Sequence, residues 1–78
     1  MIKTLQQLKN GQQARVRDIS GGHSLRQRLW QIGLYPGERI RVLRSGFLGG
    51  PVLVAVNGSE VAIGQGMARK IEVEVLEA

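Results

Sequence analysis

Closely spaced turn signals constrain the fold of this chain more than any other feature of its sequence. Asn10-Gly11, Gly21-Gly22, Pro36-Gly37 and Asn57-Gly58 divide it into short segments. Because Gly and Pro in such pairs interrupt helices and strands, neither element can run far between two of them. Short segments at this spacing are typical of small β sandwiches and barrels.

Five strands are predicted from the apolar residues between the turns. Residues 13–19 alternate between an apolar face, with Ala14 and Val16, and a basic face, which is the two-residue period of a half-buried strand. The same alternation predicts strands over residues 38–44 and 71–75. Strands are also predicted over residues 52–56 and, after Asn57-Gly58, over residues 59–63. Residues 52–56 are apolar on both faces, as a central strand would be.

A short helix is predicted after Gly21-Gly22. Ser24 and Gln27 have the spacing of a capping box, in which each side chain binds the free backbone N–H of the other residue. The helix is therefore expected to begin at Leu25.

The apolar face of this helix is predicted to consist of Leu25, Leu29 and Ile32, which recur at i, i+4 and i+7. Gly33 follows at the position where many helices end on a left-handed residue. A helix bounded in this way has about two turns.

Turn geometry explains the other Gly and Pro residues. Pro36 fixes the second position of a type II turn after Tyr35, and Gly37 accepts the positive φ that comes next. Asn57-Gly58 predicts a two-residue type I′ hairpin. Residues 5–11 are predicted to form a short helical turn, residues 45–51 a loop and residues 64–70 a tight turn.

These elements predict a mostly β fold, an SH3-like, partly open barrel of about five strands with one short helix after the first strand and a short N-terminal helical turn. The 78 residues are expected to form a single domain with a thin core, to which a homodimer could add stability. No run approaches the roughly 20 apolar residues that cross a bilayer, and the N-terminus lacks a signal-peptide pattern. We therefore expect a cytoplasmic protein.

The sequence offers little for catalysis. It contains no Cys and a single His, His23, beside the Ser24 assigned to the capping box. This composition excludes disulfides and thiolate chemistry and leaves no Ser-His-acid arrangement. The run Gly46-Phe47-Leu48-Gly49-Gly50 is followed by Pro51 and a strand rather than by a helix, so it is not a phosphate-binding loop. We expect neither enzymatic activity nor a cofactor.

Two other binding functions stay open. Nucleic acid could bind a basic patch on this chain of net charge +5, formed by the outward arginines Arg15, Arg17, Arg39 and Arg41. No aromatic residue is interleaved with these arginines for base stacking. His23 and Asp18, on either side of the Gly-Gly bend, are a weak candidate for a transition-metal site, because two ligands hold a metal poorly.

Trp30 is the residue that most favours a protein partner. On a helical wheel it lies about 140° from Leu25, off the apolar face, with Arg26 one turn earlier on the same side. Exposed Trp and Arg side chains are enriched at interface hot spots. The alternative is that Trp30 covers the mouth of the barrel or packs under the loop that carries Phe47 and Leu48.

One block of the sequence joins a basic helix start, an apolar face, a Gly stop and a Pro-Gly turn at fixed offsets: Arg26-Gln27-Arg28-Leu29-x-x-Ile32-Gly33-Leu34-x-Pro36-Gly37. It is flanked by the motifs Leu5-x-x-Leu8-x-x-Gly11, Ala14-x-Val16, Leu48-Gly49-x-Pro51-Val52 and Ala68-x-x-Ile71-x-Val73. With these motifs nearly the whole chain resembles the FeoA family of bacterial ferrous iron uptake.

The resemblance implies an SH3-like accessory protein that binds the cytoplasmic side of the membrane permease FeoB, whose G domain hydrolyses GTP. Such an adaptor would modulate the assembly or activity of the permease and would need no metal ligand of its own. Its contact face is expected to comprise the helix surface, the following turn and the mobile loop, with Arg26, Trp30, Tyr35, Phe47 and Leu48.

Overall fold

The computed structural model describes residues 1–76, and it describes Phe47 through its backbone alone. Six antiparallel strands form one sheet: β1 (Ile2–Thr4), β2 (Gln13–Ile19), β3 (Arg39–Arg44), β4 (Val52–Val56), β5 (Ser59–Ile63) and β6 (Ile71–Leu76). Their order is β1-β6-β2-β3-β4-β5, so β1 and β5 are the two edges. The helices are α1 (His23–Gln31) and α2 (Gln65–Ala68), with 3₁₀ turns at Leu5–Gln7 and Phe47–Gly49.

The predicted mostly β fold with a helix after the first long strand is confirmed, and the structure adds a sixth strand. Strands β2, β4 and β5 have the predicted bounds. Strand β1 is only three residues long and pairs with β6 at the other end of the chain, so local alternation gives no signal for it. The tight turn predicted for residues 64–70 contains the one-turn helix α2.

The core lies on one face of the sheet. Every strand except β1 contributes fully buried apolar side chains to it. The helices and connections contribute Leu5, Leu8, Leu29, Leu34 and Ala68. Pairing shifts register between Val16 and Asp18 and between Val42 and Arg44, and bulges of this kind bend the strand and increase its twist. Within residues 1–76, every buried side chain is apolar.

Helix α1 begins two residues earlier than predicted, and the capping box of Ser24 and Gln27 does not form. Gly22 occupies the N-cap position with φ −78° and ψ 172°, without a side-chain hydrogen bond. Ser24 is therefore the second residue inside the helix, where its hydroxyl cannot act as the N-cap. The bend before the helix needs Gly21, at φ +132°, because a Cβ there would lie 2.7 Å from Cδ2 of Leu25, which packs on the core.

The end of α1 is a Schellman motif built on Gly33. Gly33 has φ +92°, as predicted, and its N–H donates to the Trp30 carbonyl at 3.0 Å. The Leu34 N–H donates to the Leu29 carbonyl at 2.9 Å, and both side chains are buried. Ile32 is instead the helix C-cap, with φ −100° and ψ 11°, and is 40% exposed, so its predicted place on the apolar face is wrong.

The other predicted turns are confirmed at their Gly and Asn residues. Gly37 has φ +94°, and the Glu38 N–H donates to the Tyr35 carbonyl at 3.1 Å, which closes the turn around Pro36. Asn57-Gly58 closes the β4–β5 hairpin with φ of +51° and +78°. In the part of the chain that the structure describes, neither helix has the length and apolar composition needed to cross a membrane.

Candidate docking surfaces

The structure places the predicted contact residues at two opposite ends of the sheet. The loop over residues 45–51 leads into the start of β4. The end of α1 meets the other end of β4, because a Cβ added to Gly33 would lie 3.4 Å from Asn57 Nδ2 in the following hairpin. Four residue steps along β4 span about 13 Å. Trp30 and Leu48 therefore belong to separate surfaces rather than to the single face expected from the sequence.

The first surface, which we call the helix end, comprises Trp30, Ile32, Tyr35 and the Asn57-Gly58 hairpin. Tyr35 belongs to it because it precedes β3, whose start lies beside the end of β4 in their antiparallel pairing. Trp30 is 47% exposed, Ile32 40% and Tyr35 41%. This end therefore presents three half-exposed apolar side chains.

Arg26 lies one turn before Trp30 on α1, as predicted, and is exposed. Its Nε donates to the Ile19 carbonyl at 3.2 Å, which ties the helix to the last residue of β2. Part of the guanidinium is thus used to position α1. The remaining N–H groups of the fork are available to an acidic or carbonyl acceptor on a partner.

The second surface, the loop end, comprises residues 45–50 and α2. Gln65 Nε2 in α2 donates to the Gly50 carbonyl at 2.8 Å and contacts the Gly46 carbonyl at 3.4 Å. A Cβ added to Gly46 would collide with the same Gln65 amide nitrogen and with the Gly50 carbonyl oxygen. The two ends of the loop are therefore fixed against α2, and the side chain of Phe47 lies outside the described residues.

Leu48, at the tip of this loop, combines two unfavourable properties. It is 90% exposed, and its backbone is left-handed, with φ 55° and ψ 38°. The left-handed conformation costs an L-residue about 1–2 kcal/mol, and burial of a Leu side chain would be worth about 1.5–3 kcal/mol. The sequence showed an apolar residue in a Gly-rich loop but gave no sign that Leu48, as well as Gly49, has a positive φ.

The candidate metal ligands are not assembled into a site. His23 and Asp18 are both exposed. An Asp18 carboxylate oxygen accepts the N–H of Ile19 at 2.8 Å, so part of its acceptor capacity is used locally. Nowhere in residues 1–76 do three or more His, Asp or Glu side chains converge as metal ligands.

The outward arginines lie on a face of mixed charge. Arg15 is opposite Arg39 in the pairing of β2 with β3 and opposite Glu74 in the pairing with β6. Arg17 Nε lies 3.1 Å from a carboxylate oxygen of Glu72. The acidic residues of β6 therefore flank the basic residues of β2, and the arginines do not form the uninterrupted basic track that nucleic-acid backbones favour.

Comparison with known proteins gives consistent matches along almost the whole chain. The family model of the FeoA domain matches residues 3–75. A Methanocaldococcus jannaschii protein provisionally named Fe(2+) transport protein A is 39% identical over 69 residues, which cover 88% of this chain and 82% of the relative.

Solved structures agree with this match. A crystal structure of an iron uptake regulatory protein (FeoA) superimposes with a TM-score of 0.92 at 39% identity, over 97% of this chain and 100% of the other. The solution structure of a FeoA protein from Chlorobium tepidum has a TM-score of 0.87 at 33% identity, over 96% and 71%. The SH3-like fold class predicted from the sequence is thereby confirmed.

Proposed function

Because this chain belongs to the FeoA family, we propose that it is a non-enzymatic accessory protein of ferrous iron uptake that binds the cytoplasmic side of a FeoB permease. In this role it modulates the assembly of the permease or the nucleotide cycle of its G domain. The chain itself acts in the cytoplasm and reaches the membrane through its partner.

The exposed, left-handed Leu48 carries this proposal. Its side chain is held in solvent by a loop that Gln65 fixes on both sides. Strained backbone and exposed apolar side chains persist mainly where binding makes use of them. A fixed apolar tip fits a pocket on a protein partner, because little conformational entropy is lost when it inserts.

The helix end provides a second contact region for the same partner. Trp30 is half exposed beside Arg26, and these two residue types dominate binding energy at many interfaces. Since about 13 Å of strand β4 separates the two ends, a partner that touches both must extend over the whole length of this strand. A cytoplasmic domain the size of a G domain is large enough to do so.

Binding of purified variants to detergent-solubilised FeoB tests the proposal. Leu48→Ala and Trp30→Ala should each weaken binding about tenfold or more, as expected for hot-spot residues. The matched control is Leu43→Ala, since Leu43 is also exposed but lies within β3, outside the residues that define the two surfaces. It should leave the affinity within about twofold.

Binding of the wild-type chain tests the proposed function, and binding of the variants tests the proposed surfaces. No binding of the wild-type chain to FeoB, together with an unchanged GTP hydrolysis rate, would overturn the proposed function. Binding that neither Leu48→Ala nor Trp30→Ala weakens would reject both surfaces while leaving the partner in place. Circular dichroism of each variant separates lost contact from lost fold.

A further inference from the structure

The outer edge of β5 is an open strand edge. Strand β5 is the last in the sheet order, and no other strand in residues 1–76 pairs with its outer side. The opposite edge, β1, is three residues long and carries Lys3, whereas β5 is five residues long without Pro, Lys or a bulge. Short length and edge Lys residues discourage strand pairing, so β5 is the edge left competent for it.

The hairpin fixes which backbone groups of β5 face outward. Asn57 and Gly58 both have positive φ, as in a type I′ turn, so Val56 and Ser59 exchange hydrogen bonds across it. In an antiparallel ladder, bonded and non-bonded pairs alternate. The bonded pairs of β4 with β5 are therefore Val56 with Ser59, Val54 with Val61 and Val52 with Ile63.

The pairing of β3 supports this assignment independently. Val42 bonds toward β2, since its N–H donates to the Gln12 carbonyl and its carbonyl accepts the N–H of Gly11. Its neighbour Arg41 must then bond toward Ala55 on β4. Ala55 is thus committed to β3, which leaves Val54 and Val56 to bond with β5.

Glu60 and Ala62 consequently direct their N–H and C=O groups away from the sheet. We propose that β5 pairs antiparallel with β5 of a second copy of this chain, about a two-fold axis at Val61. Glu60 then faces Ala62 of the second copy, and Ala62 faces its Glu60. The two residues exchange hydrogen bonds on each side of the axis, and the two sheets join into one of twelve strands.

Charge favours this register over its neighbours. A shift that places the axis at Glu60 would bring two carboxylates directly opposite each other, which destabilises a strand pair. A shift to Ala62 would place Glu60 opposite Gly64, outside β5. Only the register at Val61 pairs both outward residues of each copy and keeps the two Glu60 side chains apart.

The core-facing side of the same edge supplies an apolar contact. Val61 is partly buried against the core, and it lines a groove together with Ile32, Gly33 and Val56. In the paired register Val61 lies against Val61 of the second copy, and β-branched pairs of this kind stabilise antiparallel strands. The pairing would cover part of Ile32, which the single chain leaves 40% exposed. The pairing does not rest on the proposed binding to FeoB, although both would use Ile32 at the helix end.

Sedimentation equilibrium of the full chain over a concentration series tests the pairing. The wild type should dimerise, and Ala62→Pro should weaken the dimer at least about tenfold because it removes an outward N–H. That N–H takes no part in bonding to β4, so the monomer should stay folded. Ala62→Ser keeps the N–H and is the matched control. A monomeric wild type up to about 1 mM, or an Ala62→Pro dimer of wild-type strength, would overturn the proposal.

A pair of charge variants tests the register. Ala62→Lys places a cation opposite Glu60 of the second copy at two sites and should tighten the dimer roughly threefold to tenfold. Ala62→Glu places like charges there and should weaken it by a similar factor. Both substitutions are at the same exposed position, so their effects on the monomer are comparable. If the two variants change the affinity of the dimer in the same direction, or if neither changes it, the register is rejected.

Discussion

The helix end and the loop end of the sheet both contain residues with positive φ, but the residue types differ. At the helix end these are Gly33, Gly37 and Asn57-Gly58, which adopt the left-handed region at little cost. At the loop end one of them is Leu48, a large apolar residue with φ 55°.

This difference indicates which end of the sheet is shaped mainly by folding and which by binding. At the helix end, residue type and backbone conformation agree, so the local sequence directs the fold and costs no strain. At the loop end they disagree, and a Gly at the same position would relieve the strain. Retained strain is more common at binding sites than elsewhere, which favours the loop end as the principal docking surface.

Leu34→Ala disrupts the helix end and should lower the free energy of unfolding more than any other variant considered. Leu34 is fully buried where the Schellman motif turns the chain into the core. Removing a buried Leu side chain destabilises a protein by about 2–5 kcal/mol, a large part of the stability of a domain this small. Urea denaturation would measure this loss.

Ile32→Ala is the control for that substitution. Ile32 lies two residues earlier on the other side of Gly33 and is 40% exposed. Its truncation should cost less than about 1 kcal/mol, because little apolar surface leaves the core. Equal losses from the two variants would show that Ile32 and not Leu34 alone continues the apolar face of α1.

Gly46→Ala disrupts the loop end and should have an intermediate effect on the free energy of unfolding. The new Cβ collides with the Gln65 amide and the Gly50 carbonyl, so the loop must move away from α2. Forced repacking of this kind costs about 1–3 kcal/mol. The matched control is Gly66→Ala in α2, where a Cβ meets open space and should stabilise the helix by about 0.5–1 kcal/mol. Thermal denaturation should show opposite shifts, and a downward shift in both would contradict the collision.

Local patterns predicted most of the fold because the interactions behind them are local. Alternation placed β2, an apolar run on both faces placed β4, and turn chemistry placed Gly33, Gly37 and the Asn57-Gly58 hairpin that leads into β5. The predictions were wrong or incomplete where packing and contacts outside the local pattern determine the structure. Strand β1 depends on β6, and the start of α1 depends on how Leu25 packs over Gly21.

The candidate site was less predictable for the same reason. Helical spacing correctly placed Trp30 beside Arg26 and off the buried face. Its distance from Leu48 depends on strand register and on which end of β4 the helix meets, and neither is encoded in short-range spacing. The hydrogen bonds from Gln65 to the loop likewise join residues with no recognisable motif.

Leu48→Gly sharpens the comparison with the smallest change in stability. Gly adopts the left-handed conformation freely, so the free energy of unfolding should stay constant or rise by up to about 1 kcal/mol. Loss of the exposed side chain should nonetheless weaken binding to FeoB about tenfold or more. Urea denaturation and a binding titration on the same preparation would measure both quantities. Because Leu48→Asn also tolerates this backbone, it should behave alike, and a stable variant of either kind that binds normally would remove Leu48 from the docking surface.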